Sequence, residues 1–186
     1  MSQVCARGFT LSEMLITLAV AAVLLSAAVP SVSVFLQNNR IKSHTYALLN
    51  DITLARGETV RQGAPVFLCR TANPTAAAPV CGGTNLTWTS GWLVYVNIGG
   101  DFDFQPLSDT LLKTGASASG GVAIKSDSTA NRWLEYARTG ATSETGTANY
   151  TVCDSRGGAY GRRISVPING RPIITAGSPS SPITCL

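Results

Sequence analysis

A single carboxylate, Glu13, stands inside a long apolar segment near the amino end of the chain. From Phe9 to Leu36 it is the only ionisable side chain. A carboxylate at the centre of a membrane helix costs about 2.5–3.5 kcal/mol, so it is kept only where something offsets that cost. We therefore expect Glu13 to be paired with an opposite charge.

The carboxyl-terminal part of the chain carries a second set of residues that could bind a ligand. From Cys153 to the end, Asp154 is the only acidic residue, against four arginines: Arg156, Arg162, Arg163 and Arg171. Arginines beside glycines on turns can approach phosphates closely, which gives sequence-independent and salt-sensitive binding. The alternative is that these arginines pair with Asp154 or with a neighbouring protein.

Other candidate sites are weak, and most enzyme classes are excluded. Asp101 and Asp103 lie in a glycine-flanked loop with no nucleophile or base nearby, so we expect them to be solvated. His44 is the one histidine of the sequence, so a metal site built on several histidines is excluded. We expect His44 to be solvated or to cap a helix. With 13% charged residues and a net charge of +4, the chain is no general polyelectrolyte binder. We predict no catalysis, no cofactor and no metal.

The apolar segment itself is long enough to cross a membrane. As a helix, residues 9–36 would extend about 42 Å at about 1.5 Å per residue. A cleaved secretory signal is the alternative, with Arg7 before the apolar core and small residues at 26–28 as the cleavage site. Two features argue against a cleaved secretory signal: the apolar stretch continues past Pro30, and it contains Glu13.

The stretch from Arg7 to Leu15, RGFTLSEML, resembles the class III signal of type IV pilins and type II secretion pseudopilins. The resemblance implies that a prepilin peptidase cuts between Gly8 and Phe9, removes residues 1–8 with Cys5, and methylates the new amine. It also implies that Glu13 pairs with the amino terminus Phe9 of a neighbouring subunit in the filament. Pro30 would kink or locally melt the helix, since proline removes one helical hydrogen bond.

A second helical pattern follows the anchor. Apolar or small residues recur on one face at Ile41, Thr45, Leu48, Ile52, Ala55 and Thr59. Charged residues, Asp51 among them, lie off that stripe and are expected in solvent. Gly63 and Pro65 are a plausible stop. This predicts one long bent helix from about Phe9 to Gln62 whose second half packs on a sheet.

The remainder is expected to form short strands separated by turns. The candidate strands are 66–69, 92–97, 121–125, 133–136, 150–153, 162–167 and 172–175. The stretch Trp92–Val96 is apolar on both faces, which predicts a central strand covered by the helix. Together with the helix this is an α+β, type IV pilin-like fold: a long bent amino-terminal helix packed on an antiparallel β-sheet domain. The expected divisions are 1–8 (leader), 9–36 (membrane and filament-core half of the helix) and 37–186 (globular domain).

Four cysteines remain after Cys5 leaves with the leader, and a chain exported across the inner membrane should form two disulfides. Three connectivities are open. We favour Cys69–Cys81, which closes a short Pro- and Ala-rich loop, and Cys153–Cys185, which ties the tail to a strand. A zinc site is the rival interpretation, but the spacing is wrong for it.

Later motifs, such as ARGE at 55–58, GWLVY at 91–95, CDSRG at 153–157 and two Gly-Arg pairs, resemble the GspH/FimT/FimU group of minor pilins and pseudopilins. The resemblance implies a minor type IV pilin that initiates pilus assembly and lies in the tip complex, serving twitching motility, adhesion or DNA uptake. The alternatives are a GspH-like pseudopilin of type II secretion and a DNA-binding pilin for transformation. DNA-binding FimT members carry Gly-Arg-x-Arg, whereas here isoleucine stands at the last position of both motifs, at Ile164 and Ile173.

The implied partners are other minor and major pilins, the prepilin peptidase, the inner-membrane assembly platform, and, as further candidates, a tip adhesin of the PilY kind and DNA. The implied location is a single span of the inner membrane with a periplasmic domain, followed by the extracellular pilus tip.

Overall fold

The computed structural model describes residues 8–82, 87–127 and 132–186, with the backbone alone at 27–30. It contains one helix, α1 (Leu11–Gln62), followed by eight strands: β1 (Val66–Arg70), β2 (Trp92–Val96), β3 (Thr110–Gly115), β4 (Ala123–Ser126), β5 (Trp133–Tyr136), β6 (Ala148–Cys153), β7 (Arg162–Val166) and β8 (Ile173–Ala176). The described chain divides into two compact units, the first ending at Asn38 and the second running from Asn39 to Leu186. The predicted leader, except for Gly8, lies outside the described residues.

The helix ends where the sequence predicts. Gly63 has a φ of 64°, which glycine adopts without strain, and its N–H donates to the carbonyl of Thr59 at 3.0 Å. In the second half of α1 the predicted stripe is buried in full, at Ile41, Thr45, Leu48, Ile52, Ala55 and Thr59. The 3.6-residue period therefore identified the face that packs on the sheets.

The strands form two antiparallel sheets of four strands each. Sheet A has the order β3-β2-β1-β5 and sheet B the order β4-β6-β7-β8. The central position predicted for Trp92–Val96 is correct, since β2 lies between β3 and β1 and all five of its residues are buried. Both sheets and the helix contribute to one hydrophobic core, with Leu48 and Ile52 from α1, Val94 from β2 and Tyr150 from β6.

One strand was missed. β3 is the outer strand of sheet A, and most of its residues are exposed or half-buried. Its pairing with β2 shifts register between Val94 and Tyr95. An edge strand with an irregular register has no strict alternation of apolar and polar residues, so the period-two signal was not present.

Asp51 is not solvated as its place off the stripe suggested; that expectation was wrong. Its side chain is 2% exposed and accepts a hydrogen bond of 2.9 Å from the indole Nε1 of Trp92. The Lys113 ammonium on β3 lies 2.5 Å from its other oxygen. The carboxylate is buried because two donors on neighbouring strands satisfy it.

Two disulfides hold the loops, and they are the pairs favoured from the sequence. Cys69–Cys81 joins β1 to the loop after it with Cα atoms 5.5 Å apart. Cys153–Cys185 joins the end of β6 to the carboxyl-terminal tail with Cα atoms 6.2 Å apart. The first lies within a second apolar cluster, together with Phe67, Tyr95 and Phe104.

Candidate assembly and binding surfaces

The amino-terminal segment begins α1 with a capped first turn that holds Glu13. The Glu13 N–H donates to the Thr10 hydroxyl at 3.3 Å, and the Met14 N–H donates to the Thr10 carbonyl at 3.2 Å. Thr10 is thus the N-cap of α1, with Glu13 at the third helical position. The spacing Thr-x-x-Glu is the sequence signal of a capping box and could have located this helix start. The arrangement places the carboxylate three residues from the cap, in the first turn after Phe9.

The side chains of this part of α1 are exposed on all sides. Phe9 is 77% and Leu11 79% exposed, and the large apolar residues from Met14 to Leu36 that the structure describes are exposed as well. By length and composition, α1 can cross a membrane. Apolar surface of this extent is stable only when lipid or another protein covers it. It can therefore serve as a membrane anchor and, once extracted, as a helix that packs among other helices.

Pro30 lies within α1, and the backbone is helical on both sides of it. Proline has no N–H to donate to the carbonyl four residues earlier, which is that of Ser26. The kink at Pro30 stays a prediction, and so do the roles of Gly8, Phe9 and Glu13 in processing and assembly.

Of the four tail arginines, one is engaged, and the other three form no ion pair within the part of the chain that the structure describes. Arg156 forms an ion pair with Asp154, with 2.7 Å between Nη2 and Oδ2, and its guanidinium lies 4.5 Å from the centre of the Tyr160 ring. Burial alone would raise the pKa of Asp154, but the hydrogen bonds and the charge of Arg156 together outweigh it and lower that pKa. Arg156 thus fits the alternative of an internal pair better than it fits phosphate binding.

The other three arginines lie at different places on the β7–β8 hairpin. Arg162 and Arg163 begin β7, and Arg171 lies in the turn that leads into β8, at the opposite end of the hairpin. Arg162 and Val166 are four residue steps apart along the strand, about 14 Å at about 3.4 Å per residue. Arg162 and Arg163 also point to opposite faces of sheet B, since successive strand residues alternate. The structure therefore does not gather the four arginines into one patch.

The loop carboxylates and the histidine have structural partners. Asp103 pairs with Arg132 at 2.6 Å, and Asp101 accepts from the Gln105 amide at 3.1 Å. Within the described ranges, no cluster of three His, Cys, Asp or Glu residues is placed to hold a metal ion. His44 is half-buried and its Nε2 accepts from the backbone N–H of Ser119 at 3.2 Å, so it joins α1 to the loop before β4. Burial lowers the pKa of His44.

Comparisons with known proteins match both the amino-terminal segment and the folded unit. The profile of the prokaryotic N-terminal methylation motif matches residues 5–29, and that of the family described as Type II transport protein GspH matches residues 44–170. A crystal structure of the type IV minor pilin FimU of Pseudomonas aeruginosa, in space group P21, superposes with a TM-score of 0.59 at 19% identity, covering 82% of this chain and 99% of that one. A second FimU crystal structure, in space group P65, gives 0.52 at 18% identity, covering 72% and 91%. No curated protein matches the chain significantly.

An amino-terminal methylation motif, an exposed apolar helix and antiparallel sheets packed on the second half of that helix define a pilin-like protein. The GspH profile covers more than half of the sequence. The chain therefore belongs to the GspH family. This family includes the minor pilins and pseudopilins of the GspH/FimT/FimU group.

Proposed function

We propose that this chain is a minor subunit of a type IV pilus that initiates assembly and lies in the tip complex. In this proposal the prepilin peptidase cuts between Gly8 and Phe9 and methylates the new amine. The chain waits as a single span of the inner membrane with its folded unit in the periplasm. The assembly platform then moves it into a filament with other minor and major pilins.

The observation that carries the proposal is the exposed first half of α1 with one carboxylate near its start. A helix with Leu11, Leu15 and Leu18 exposed needs an apolar environment, and a bundle of pilin helices supplies one. Inside such a bundle Glu13 would be costly alone, and the Phe9 amine of a neighbouring subunit offsets that cost. The carboxylate thereby favours the register in which the two charges meet.

The experiment compares cells that lack this chain with cells that express it as wild type, Glu13→Gln or Glu58→Gln. Glu58 is the matched control, because it is a half-buried carboxylate of the same helix, paired with Arg61 in the folded unit. We expect the deletion and Glu13→Gln to reduce surface pili, and Glu58→Gln to restore them. Membrane-bound Glu13→Gln protein at wild-type level shows that the variant is made but not assembled. Normal piliation with Glu13→Gln would contradict the charge pairing.

A pseudopilin of type II secretion is the second candidate, and the description of the matching family favours it. The same deletion strain separates the two functions. Loss of secreted enzymes with unchanged piliation supports the pseudopilin, whereas loss of pili with normal secretion supports the minor pilin. A tip adhesin of the PilY kind would co-purify with the chain only if the chain is a minor pilin.

A further inference from the structure

Within the described residues, the backbone groups on the outer edge of β8 have no hydrogen-bond partner. β8 is the last strand of sheet B, and Gly177 N donates to the Gly161 carbonyl at 2.9 Å just beyond the paired residues Arg162 and Ala176. In an antiparallel ladder, hydrogen-bonded and non-hydrogen-bonded pairs alternate. Thr175 is therefore bonded to β7, whereas Ile174 and Ala176 direct their N–H and C=O groups away from it.

The other three sheet edges are covered or interrupted. Beside β4, the Trp88 N–H donates to the Ile124 carbonyl at 2.7 Å. Beside β5, the Ser143 N–H donates to the Glu135 carbonyl at 3.2 Å. The pairing of β3 contains the register shift, and β3 carries Lys113 at its middle. Charges, irregular register and covering segments are the usual means by which an edge is kept from pairing with another chain.

β8 has none of these protections. Its sequence, IITA, contains no charge and no proline, its register with β7 is regular, and Ile173 is 58% exposed. Among the described residues, no backbone hydrogen bond reaches its outer edge. An unprotected edge of this kind can accept an added strand through main-chain hydrogen bonds.

Positive charge surrounds this edge. Arg171 lies two residues before β8, in the turn that leads into it, and Arg163 on β7 lies directly opposite Thr175 on the same face of sheet B. The same cross-strand row continues through Thr151 to Lys125. In the described part of the chain, none of these three cations forms an ion pair. A segment that pairs here gains most if it is acidic.

We propose that the outer edge of β8 binds an extended acidic segment of a different pilin subunit, which adds a fifth strand to sheet B. The inference deepens the proposed function, on which the choice of a filament subunit as partner rests. A second copy of this chain fits less well, because two β8 edges side by side would bring two sets of Arg163 and Arg171 together. The added strand would join neighbouring globular units in the tip complex.

The test uses the full chain in detergent micelles and a short synthetic peptide that alternates glutamate and valine, with a lysine–valine peptide as the charge control. Amide hydrogen exchange is measured residue by residue. We expect the glutamate peptide to protect the amides of Ile174 and Ala176 and to leave that of Thr175 unchanged, since it is already bonded to β7. The lysine peptide should protect none of the three.

Variants check the charge and the backbone contributions separately. Arg171→Glu should weaken peptide binding at least about fivefold, whereas Arg138→Glu, an exposed arginine in the turn after β5, should leave it unchanged. Ala176→Pro removes an outward N–H without removing a hydrogen bond to β7, and it should weaken binding by about fivefold to tenfold. Unchanged exchange at core amides such as Val94 shows that each variant is folded.

The proposal would be overturned if the glutamate peptide did not protect Ile174 and Ala176, or if both peptides bound equally well. Protection that rises with protein concentration in the absence of peptide would overturn it by showing that two β8 edges pair with each other. Displacement of the peptide by duplex DNA, with both amides left unprotected, would overturn it by identifying the basic face as a nucleic-acid surface. Because the assay needs no filament, its failure is distinguishable from a failure of the chain to enter pili.

Discussion

The indole N–H of Trp92 donates a 2.9 Å hydrogen bond to Asp51, a carboxylate that α1 buries against sheet A. Lys113 on β3 approaches the same carboxylate from the edge of the sheet and is itself 49% exposed. The pair of contacts joins the helix to two neighbouring strands. It fixes the rotation of α1 about its axis as well as its distance from the sheet.

Replacing Asp51 should destabilise the folded unit. Asp51→Ala leaves the buried Trp92 N–H without an acceptor, which costs about 2–3 kcal/mol in the free energy of unfolding. Asp51→Asn keeps an oxygen for Trp92 and should cost about 1 kcal/mol. Urea unfolding followed by Trp fluorescence measures both. If Asp51→Ala shifts the midpoint no more than Glu58→Ala, which removes a half-buried carboxylate paired with Arg61 on the same helix, Asp51 does not tie the helix to the sheet.

The close approach of Gly158 to the carboxyl-terminal tail predicts a second effect. A Cβ at Gly158 would lie 1.8 Å from the Ile183 carbonyl oxygen, which is backbone and cannot move aside as a flexible side chain can. Gly158→Ala should therefore lose about 1–3 kcal/mol of stability and displace the tail near Cys185. Gly146→Ala is the matched control, because nothing lies within 4 Å of the added atom. Equal melting temperatures for the two variants would contradict this packing.

The stability of the folded unit should depend on pH through His44. Burial lowers the pKa of His44 from its ordinary 6.5, so the unfolded chain takes up the proton first as the pH falls. The stabilising contribution of neutral His44 to folding is complete above the unfolded-state pKa of 6.5, and it is lost as the pH falls through the lower folded-state pKa. Acceptance of the Ser119 N–H also requires an unprotonated Nε2.

The measurement is the unfolding midpoint of wild type and His44→Gln at about pH 5 and about pH 7.5. Wild type should lose more stability than His44→Gln on acidification. A steeper loss in His44→Gln would show that the histidine does not contribute with this sign.

Any binding of duplex DNA should be weakly salt-dependent. Arg156 is engaged by Asp154, and Arg162 and Arg163 face opposite sides of sheet B, so one duplex can meet Arg163 and Lys125 on one face and Arg171 in the adjoining turn. Three neutralised phosphates give a slope of log affinity against log salt no steeper than about −2.7. A titration with the full chain measures this slope, with Arg171→Glu as the diagnostic variant. A slope of about −6 would mean that the basic surface is larger than the hairpin provides.

Much of the fold follows from local patterns, and the failures have physical causes. The stripe from Ile41 to Thr59 was predictable because helical periodicity depends on sequence alone. Asp51 was misjudged because its donors, Trp92 and Lys113, are distant in sequence and meet it only in the fold. The arginines of the tail are close in sequence, but the hairpin places Arg171 and Arg162 at opposite ends. The exposed strand β3 had no burial pattern to reveal it.

The most direct test of the central claim is to shear surface filaments from wild-type and deletion cells and to analyse the sheared fraction by mass spectrometry. The account predicts this chain at low copy beside the major pilin, with Phe9 as a methylated amino-terminal residue, and fewer filaments on the deletion strain. A chain that stays in the cell envelope, with filament numbers unchanged by its deletion, would contradict the pilus assignment.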